Sequence, residues 1–281
     1  MKVFVEAPRH LSRAMFRVAV ALERFAPSGI TVVPTVGEAD LVVLHVIGYQ
    51  NTLEYIEGLL QQGKKFAIMQ YCFASTGRGA SDWMPLWDQA EAVWSYYDLP
   101  AARLYFAPMG VDSTAFQDTR MPRRPYTIMT SGYVAETECA REAADATRRV
   151  GWPMLHLGPD LKLGPGVEYH LDIPDRKLAG LYSMCQFVAG LRRCEGFEMP
   201  AAEGLLCGAR PIMFDAPHYR AWFDGLAEFI PETDAASVTN ALEGLFREGA
   251  VPVSQSEKWD ARGRFDWQRL VTGFWTKVLH A

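Results

Sequence analysis

Two series of strand-like and helix-like segments follow one another along the chain, and this alternation constrains the fold more than any other feature. In the first series, near-continuous apolar runs such as LVVLHVI and KKFAIMQYCF are separated by helical patterns. Buried parallel strands are near-continuous apolar runs, because helices cover both faces of their sheet. The series restarts at YTIMTSGYV and continues through CQFVAGL and RPIMFD. The sequence therefore predicts an α/β protein with two doubly wound, Rossmann-like domains.

The domain boundary is predicted at a stretch rich in arginine and proline. Residues 118–125 form the expected linker between an N-terminal domain, 1–117, and a second domain, 126–264. The closing segment, 265–281, has one broad apolar helical face and needs a large apolar partner. We expect it to cross back to the first domain, with a dimer contact as the alternative. The two domains are expected to face each other across a cleft.

Charge and composition exclude several classes of protein. The chain has 28 basic and 33 acidic residues, a net charge of −5, which argues against coating nucleic acid by bulk charge. No apolar run approaches the ~18 to 20 residues that span a bilayer, so no integral membrane segment is predicted. The N-terminus, MKVFVEAPRH, forms no signal-peptide core. Five cysteines without a C-x-x-C pair fit reduced thiols, and a cytoplasmic location is expected.

Metal-binding patterns are missing from the sequence. It has no D-x-D, and its six histidines form no H-E-x-x-H or similar ligand spacing. We therefore predict no metal and no other cofactor.

Two glutamates follow the strand CQFVAGL, and they are the most informative pair in the sequence. Glu195 lies in the strand-to-helix loop, and Glu203 lies in the first turn of a helix predicted to begin at Pro200. Free N–H groups at a helix start bind an anion such as a diphosphate, while a carboxylate accepts hydrogen bonds from two adjacent sugar hydroxyls. A nucleotide sugar offers both groups. The alternative is that the glutamates only stabilise the positive end of the helix.

The run EGFEMPAAEGLLCGARPI resembles the E-x7-E signature of retaining GT-B glycosyltransferases of glycosyltransferase family 4, E-G-F-G-x-P-x-x-E-A-x-x-x-G-x-P-V. The matching positions are Glu195, Gly196, Phe197, Pro200, Glu203, Gly208 and Pro211. Three further stretches resemble family runs in the right order: APMGVDSTAF, VEYHLDIPDRKLAGLY and RFDWQRLVTGFWTKVL. The resemblance covers most of residues 107–279. The N-terminal third resembles the family only in its alternation of strand-like and helix-like segments.

The resemblance implies a GT-B fold and retaining, metal-independent transfer of a hexose from a nucleoside-diphosphate sugar. The first domain would bind the acceptor and the second the donor. Glu195 would contact donor-sugar hydroxyls as the catalytic residue, and Glu203 would bind the nucleotide ribose. The backbone N–H groups of Gly196 and Phe197 would lie near the sugar and diphosphate. The leaving phosphate would accept the proton.

Departures from the family pattern concern the diphosphate. The family has a V-G-R-L…K run whose Arg and Lys neutralise it, whereas here Ser131-Gly132-Tyr133-Val134 leads to Glu138. Gly132 is retained as a donor-binding position, but neither cation is in place. Arg192 and Arg193, at the mouth of strand CQFVAGL, are the expected replacements, because guanidinium groups suit phosphates. The alternative is a surface basic pair.

Two further departures concern the choice of donor. Glu198 stands where the family commonly has Gly, and Leu171 stands where it has Gly beside the nucleobase. The sugar and the base of the donor therefore stay open.

His45, after LVVL at the end of a first-domain strand, is a candidate to contact the sugar or acceptor, with a core or capping role as the alternative. The acceptor is open between a glycan, a lipid-linked sugar, a protein, a small metabolite and a hydroxylated DNA base. Two rival functions also remain: a non-catalytic nucleotide-sugar-binding module and a sugar-nucleotide epimerase of the same architecture.

Overall fold

The computed structural model describes residues 1–7, 13–46, 51–71, 80–123, 128–193 and 196–280. These residues form two compact units, each built around one six-stranded sheet. The first unit takes the described residues of 1–110, with 196–197 and 266–280. The second takes those of 111–193 and 198–265. Residues 118–123, assigned to the linker from the sequence, thus lie in the second unit.

Both sheets are parallel throughout. The strands of the first sheet are Lys2–Val5 (β1), Thr31–Val32 (β2), Leu41–Val46 (β3), Lys65–Gln70 (β4), Val93–Ser95 (β5) and Leu104–Phe106 (β6). Those of the second are Ile128–Ser131 (β7), Met154–Leu157 (β8), Val167–His170 (β9), Phe187–Gly190 (β10), Arg210–Phe214 (β11) and Glu228–Ile230 (β12). Their orders are β2-β1-β3-β4-β5-β6 and β12-β11-β10-β7-β8-β9.

Helices connect most of these strands. The helices of the described part of the chain are Arg13–Arg24 (α1), Asn51–Gln61 (α2), Ala80–Trp87 (α3), Ala140–Val150 (α4), Asp175–Met184 (α5), Met199–Leu206 (α6), Pro217–Phe223 (α7), Ala235–Glu248 (α8), Gln255–Arg264 (α9) and Trp267–Leu279 (α10). In that same part of the chain, no helix combines the length and apolar character needed to cross a membrane.

In the first unit, the sheet and α3 share an apolar core. Val42, Leu44 and Ile68 pack with Trp83 and Trp87, and all five are at most 2% exposed. All six residues of β3 are buried, as the continuous apolar run predicts.

Helix α10 completes the first unit, as its broad apolar face predicts. Trp275 donates a hydrogen bond from Nε1 to the Leu22 carbonyl of α1 at 3.1 Å. Phe274 places its ring 5.4 Å from that of Trp94 in β5. The last helix therefore packs on the N-terminal sheet and its first helix, although the chain has passed through the second unit in between.

In the second unit, a buried arginine joins the sheet to α9. Arg210 of β11 is 5% exposed, and its Nη1 lies 2.6 Å from Glu257 Oε1. Glu257 also closes the capping box of α9 by accepting the Ser254 N–H at 2.7 Å. Burial alone would raise the pKa of Glu257, but hydrogen bonds from Arg210 and Ser254 outweigh it and lower the pKa to about 2.

We predict that Glu257→Gln lowers the free energy of unfolding by about 2 kcal/mol at pH 7, because the buried Arg210 loses its charged partner while Gln still closes the capping box. Since the folded pKa is depressed, this stabilisation is present above the ordinary value near 4.5 and is lost as the pH falls towards 2. Urea denaturation at several pH values measures it.

The matched control is Asp260→Asn on the same helix. Asp260 forms an exposed pair with Arg264, and its loss is expected to cost under about 0.5 kcal/mol. Equal losses for the two variants would contradict a special role for the Arg210 pair.

Candidate functional site

Neighbouring strands of the second sheet end side by side. Strand β7 ends at Ser131 and is followed by Gly132, and its neighbour β10 ends at Gly190, two residues before Arg192. In open parallel sheets, ligands bind outside the carboxyl ends of the strands. A ligand site is therefore expected at the segments that follow β7 and β10.

A carboxylate covers the turn after β7. Gly132 has φ +137°, and a Cβ built there would overlap the carboxyl group of Glu138. Glu138 in turn accepts the Val134 N–H at 2.9 Å through Oε2. The glycine at position 132 thus lets Glu138 fold back over the turn and bind its backbone. The side chain that covers this turn is thus an acid and not a cation.

Arg192 lies between two carboxylates. Its Nη2 is 3.8 Å from Glu138 Oε1, and its Nε is 3.5 Å from Glu198 Oε2. Glu198, which precedes α6, is 2% exposed. The structure therefore joins Gly132 and Arg192 through Glu138, and a second acid, Glu198, lies beside the same guanidinium. Among the described residues, a phosphate at this guanidinium would meet both acids.

Arg193 points to a different part of the second unit. Its N–H donates to the Thr137 carbonyl at 2.9 Å, and its guanidinium lies 5.2 Å from the Phe214 ring centroid and 3.6 Å from Glu232. The two adjacent arginines thus have different partners. Arg192 is the one that Glu138 links to Gly132.

Glu203 is the fifth residue of α6, because the helix begins at Met199 and not at Pro200. This places it in the second turn and not in the first turn predicted from the sequence. Its side chain is 2% exposed, and Tyr182 of α5 donates a hydrogen bond to its Oε2 at 3.2 Å. Tyr182 is the last residue of the run VEYHLDIPDRKLAGLY, and its position in that run does not by itself mark it as a site residue.

Gly196 and Phe197 belong to the first unit, and Glu195 lies outside the described residues. The Phe197 ring is 6.3 Å from that of Tyr96. A Cβ on Gly196 would overlap the rings of Tyr96 and Tyr97. In the first unit, the glycine therefore lets the backbone approach these two rings closely.

His45 is the next-to-last residue of β3 and is 3% exposed. Its N–H donates to Glu6 Oε2 at 3.3 Å, and its Nδ1 lies 2.8 Å from Tyr71 Oη, with the two rings stacked at 5.8 Å. Burial lowers the pKa of His45 to about 4, so the imidazole is neutral at pH 7. No described residue forms a hydrogen bond with Nε2. A neutral imidazole in this setting can donate or accept one further hydrogen bond.

Side chains that bind metal ions do not gather within the ranges that the structure covers. No group of three or more His, Cys, Asp and Glu residues there has an arrangement that could hold an ion.

Comparison by sequence gives no relative. No family model matches the chain, and no curated protein matches it.

Solved structures, by contrast, match over the whole length of the chain. Sucrose-phosphate synthase from Thermosynechococcus elongatus is 11% identical with a TM-score of 0.78, over 99% of this chain and 98% of that one. HepE from Anabaena, solved with UDP-glucose, is 11% identical with a TM-score of 0.76, over 100% and 99%. A glycosyltransferase from Rickettsia africae is 9% identical with a TM-score of 0.68, over 99% and 97%. With its two parallel six-stranded sheets, the chain has the GT-B fold.

Proposed function

We propose that this protein is a glycosyltransferase that moves a sugar from a nucleoside-diphosphate donor to an acceptor hydroxyl. The observation that carries the proposal is the buried Glu203 on α6, the helix that follows β10 in the donor-side unit of a GT-B fold. The E-x7-E resemblance assigns the ribose to this residue. The full-length likeness to HepE, a protein solved with UDP-glucose, supports the proposal.

The finer proposal is retaining transfer of a hexose without a metal ion, with residues of the first unit binding the acceptor. Glu195 would contact the donor sugar, the backbone of Gly196 and Phe197 would lie near the sugar and diphosphate, and the leaving phosphate would take the acceptor proton. Catalysis would then depend on orientation and on stabilising the charge of the leaving group. An inverted anomeric configuration of the product would contradict retention, and activity lost on adding EDTA would contradict metal independence.

Glu203 is suited to bind two adjacent hydroxyls. An ionised carboxylate accepts hydrogen bonds and offers no donor, so it pairs with a ribose diol that donates two. The hydroxyl of Tyr182 donates to Oε2 and orients the carboxyl group within the unit. Gln has nearly the same shape but replaces one acceptor oxygen with an NH₂ donor. That exchange tests the acceptor role without opening a cavity.

We predict that Glu203→Gln weakens binding of the preferred nucleoside diphosphate by about tenfold or more. Tyr182→Phe should weaken it less, because the carboxylate remains but loses its orienting partner. Calorimetry with UDP, ADP, GDP and their sugars, without metal, measures both effects. Glu243→Gln, at a partly exposed acid on α8 that pairs with Arg149 and Arg247, is the control, and equal effects of Glu203→Gln and Glu243→Gln would remove Glu203 from the ribose site.

Arg192 is proposed to face the diphosphate, since it lies at the ends of β7 and β10 beside Gly132. Arg193 remains a second candidate to bind the diphosphate, and its guanidinium lies 3.6 Å from Glu232. Glu138 and Glu198 hold Arg192 in place but reduce the positive field that a phosphate meets.

We predict that Arg192→Gln weakens nucleoside diphosphate binding by about tenfold while nucleoside binding changes little, because the lost interaction is with phosphate. Affinities at two salt concentrations measure the effect, with Arg247→Gln on α8 as the exposed control. If nucleoside and nucleoside diphosphate weaken alike, Arg192 does not contact the phosphates.

His45 is proposed as a neutral hydrogen-bonding residue toward the sugar or the acceptor. We predict that its ring stays unprotonated down to about pH 5, because its pKa is about 4. Because the pKa of His45 is lower in the folded protein than in the unfolded chain, the unfolded chain binds the proton at a higher pH. The contribution of His45 to stability is therefore full above pH 6.5 and is lost as the pH falls towards 4. NMR titration of the ring, assigned with His45→Gln, measures this, and a midpoint near 6.5 would contradict it.

A non-catalytic binding module is the second candidate function, and the two acids around Arg192 favour it. Two acids beside the guanidinium oppose stabilisation of a leaving diphosphate more than they oppose binding through the base and ribose. Product analysis with a panel of acceptors separates the functions. Sugar transfer supports the glycosyltransferase, binding without any conversion supports the module, and donor conversion without an acceptor would indicate an epimerase.

A further inference from the structure

A histidine lies in the interior of the second sheet, outside every motif discussed above. His156 is the third residue of β8, pairs in register with Thr130 of β7, and has no exposed surface. Its neighbours within the strand, Leu155 and Leu157, are apolar, as expected in a parallel sheet covered on both faces. A buried polar ring in this position is costly unless its nitrogen atoms are hydrogen-bonded.

Both ring nitrogens of His156 have partners. Nδ1 lies 2.9 Å from Thr130 Oγ1, and Nε2 lies 3.2 Å from the Gly132 carbonyl oxygen. A carbonyl oxygen only accepts, so Nε2 carries the hydrogen. Burial, together with the charge of Arg192, lowers the pKa of His156, so the ring is neutral and Nδ1 is an acceptor. Thr130 therefore donates to Nδ1, and His156 donates to Gly132.

The carbonyl held by His156 belongs to the turn beside Arg192. The Gly132 N–H donates to the Leu157 carbonyl at 3.0 Å, so both polar groups of this residue are fixed by β8. A Cβ on Gly158 would overlap the Gly132 carbonyl oxygen and approach His156 Nε2 to 2.7 Å. Glycine at position 158 therefore leaves room for this hydrogen bond.

The contacts continue from Gly132 to the cation. Glu138 lies against Gly132, accepts the Val134 N–H, and lies 3.8 Å from Arg192. If the Gly132 carbonyl turned away, the surface against which Glu138 packs would shift, and one of the two carboxylates around Arg192 would move with it.

We propose that His156 is a positioning residue: through its Nε2–H it holds the Gly132 carbonyl and thereby fixes the turn 131–134, with Glu138 and Arg192, for a diphosphate. Thr130 supports this arrangement because its hydroxyl donates a hydrogen bond to Nδ1 and so keeps the hydrogen of the ring on Nε2. The link to a diphosphate rests on the proposed function, whereas the link to the turn rests on the contacts within the second unit.

The test compares His156→Leu with His156→Gln. Gln keeps an NH₂ donor and a carbonyl acceptor on one side chain, whereas Leu removes both. His156→Leu should weaken nucleoside diphosphate binding by about tenfold and nucleoside binding by less than about threefold. It should also speed hydrogen exchange of the Val134 amide by about tenfold, because Glu138 loses its support. His156→Gln should restore both properties to near the parent values.

Two further measurements separate positioning from simple core packing. Thr130→Val should reproduce part of the loss, while Thr239→Val, which removes a buried hydroxyl bonded to Ala235 in α8, should leave both readouts unchanged. The ¹⁵N shifts of the His156 ring at pH 7 should identify the neutral Nε2–H tautomer. The Nδ1–H tautomer, or a drop in thermal stability with affinity and Val134 exchange both unchanged, would overturn the proposal.

The same experiment distinguishes failure of the proposed function from failure of the positioning role of His156. If the parent protein binds no nucleoside diphosphate but His156→Leu still speeds exchange at Val134, the proposed function and the diphosphate part of this inference fail, while the control of the turn holds. If the parent binds the nucleotide and His156→Leu changes neither affinity nor exchange, the positioning role fails and the proposed function stands.

Discussion

Burial of the parallel strands is the constraint on which the rest of this structure depends. All residues of β3, β7 and β10 are buried, so the charged groups near these strands lie where the strands end. In the second unit, the neighbouring ends of β7 and β10 therefore bring a glycine turn and Arg192 close together, although about 60 positions separate them in the sequence. Pairing of β7 with β10 therefore brings the two segments together, and the residues within each segment determine the charge and hydrogen bonding there.

The electrostatics of that edge are unusual for a site proposed to bind a diphosphate. Within the part of the chain that the structure describes, two carboxylates lie within 4 Å of Arg192, and one of them, Glu198, is nearly inaccessible to water. Such an arrangement fixes the guanidinium, since removal of one partner from a buried pair leaves an uncompensated charge. It also weakens the field available to a ligand. Rigid placement of the cation and moderate attraction for the anion therefore come from the same two acids.

The fold could be predicted from the sequence because it depends on periodicity. Continuous apolar runs alternating with helical patterns predicted two parallel sheets, and the apolar face of the last segment predicted that α10 returns to the first unit; the structure confirms both. The partners of single polar groups could not be predicted. Tyr182 meets Glu203 through the packing of α5 and α6, and His156 meets Thr130 through strand register, neither of which local sequence specifies. The roles of Glu195, Glu203 and His45 remain predictions.

His45 and His156 show how each unit places a polar group near the carboxyl end of a buried strand. His45 is the next-to-last residue of β3 and His156 the next-to-last of β8, so both lie at the boundary between apolar core and strand end. Burial lowers the pKa of both, which keeps the rings neutral. A neutral imidazole donates through one nitrogen and accepts through the other, without the desolvation cost of a charge. At these positions, histidine can therefore link the interior of a sheet to the backbone or ligand beyond it, whereas a lysine would meet the desolvation cost of its charge and a leucine would leave polar groups unsatisfied.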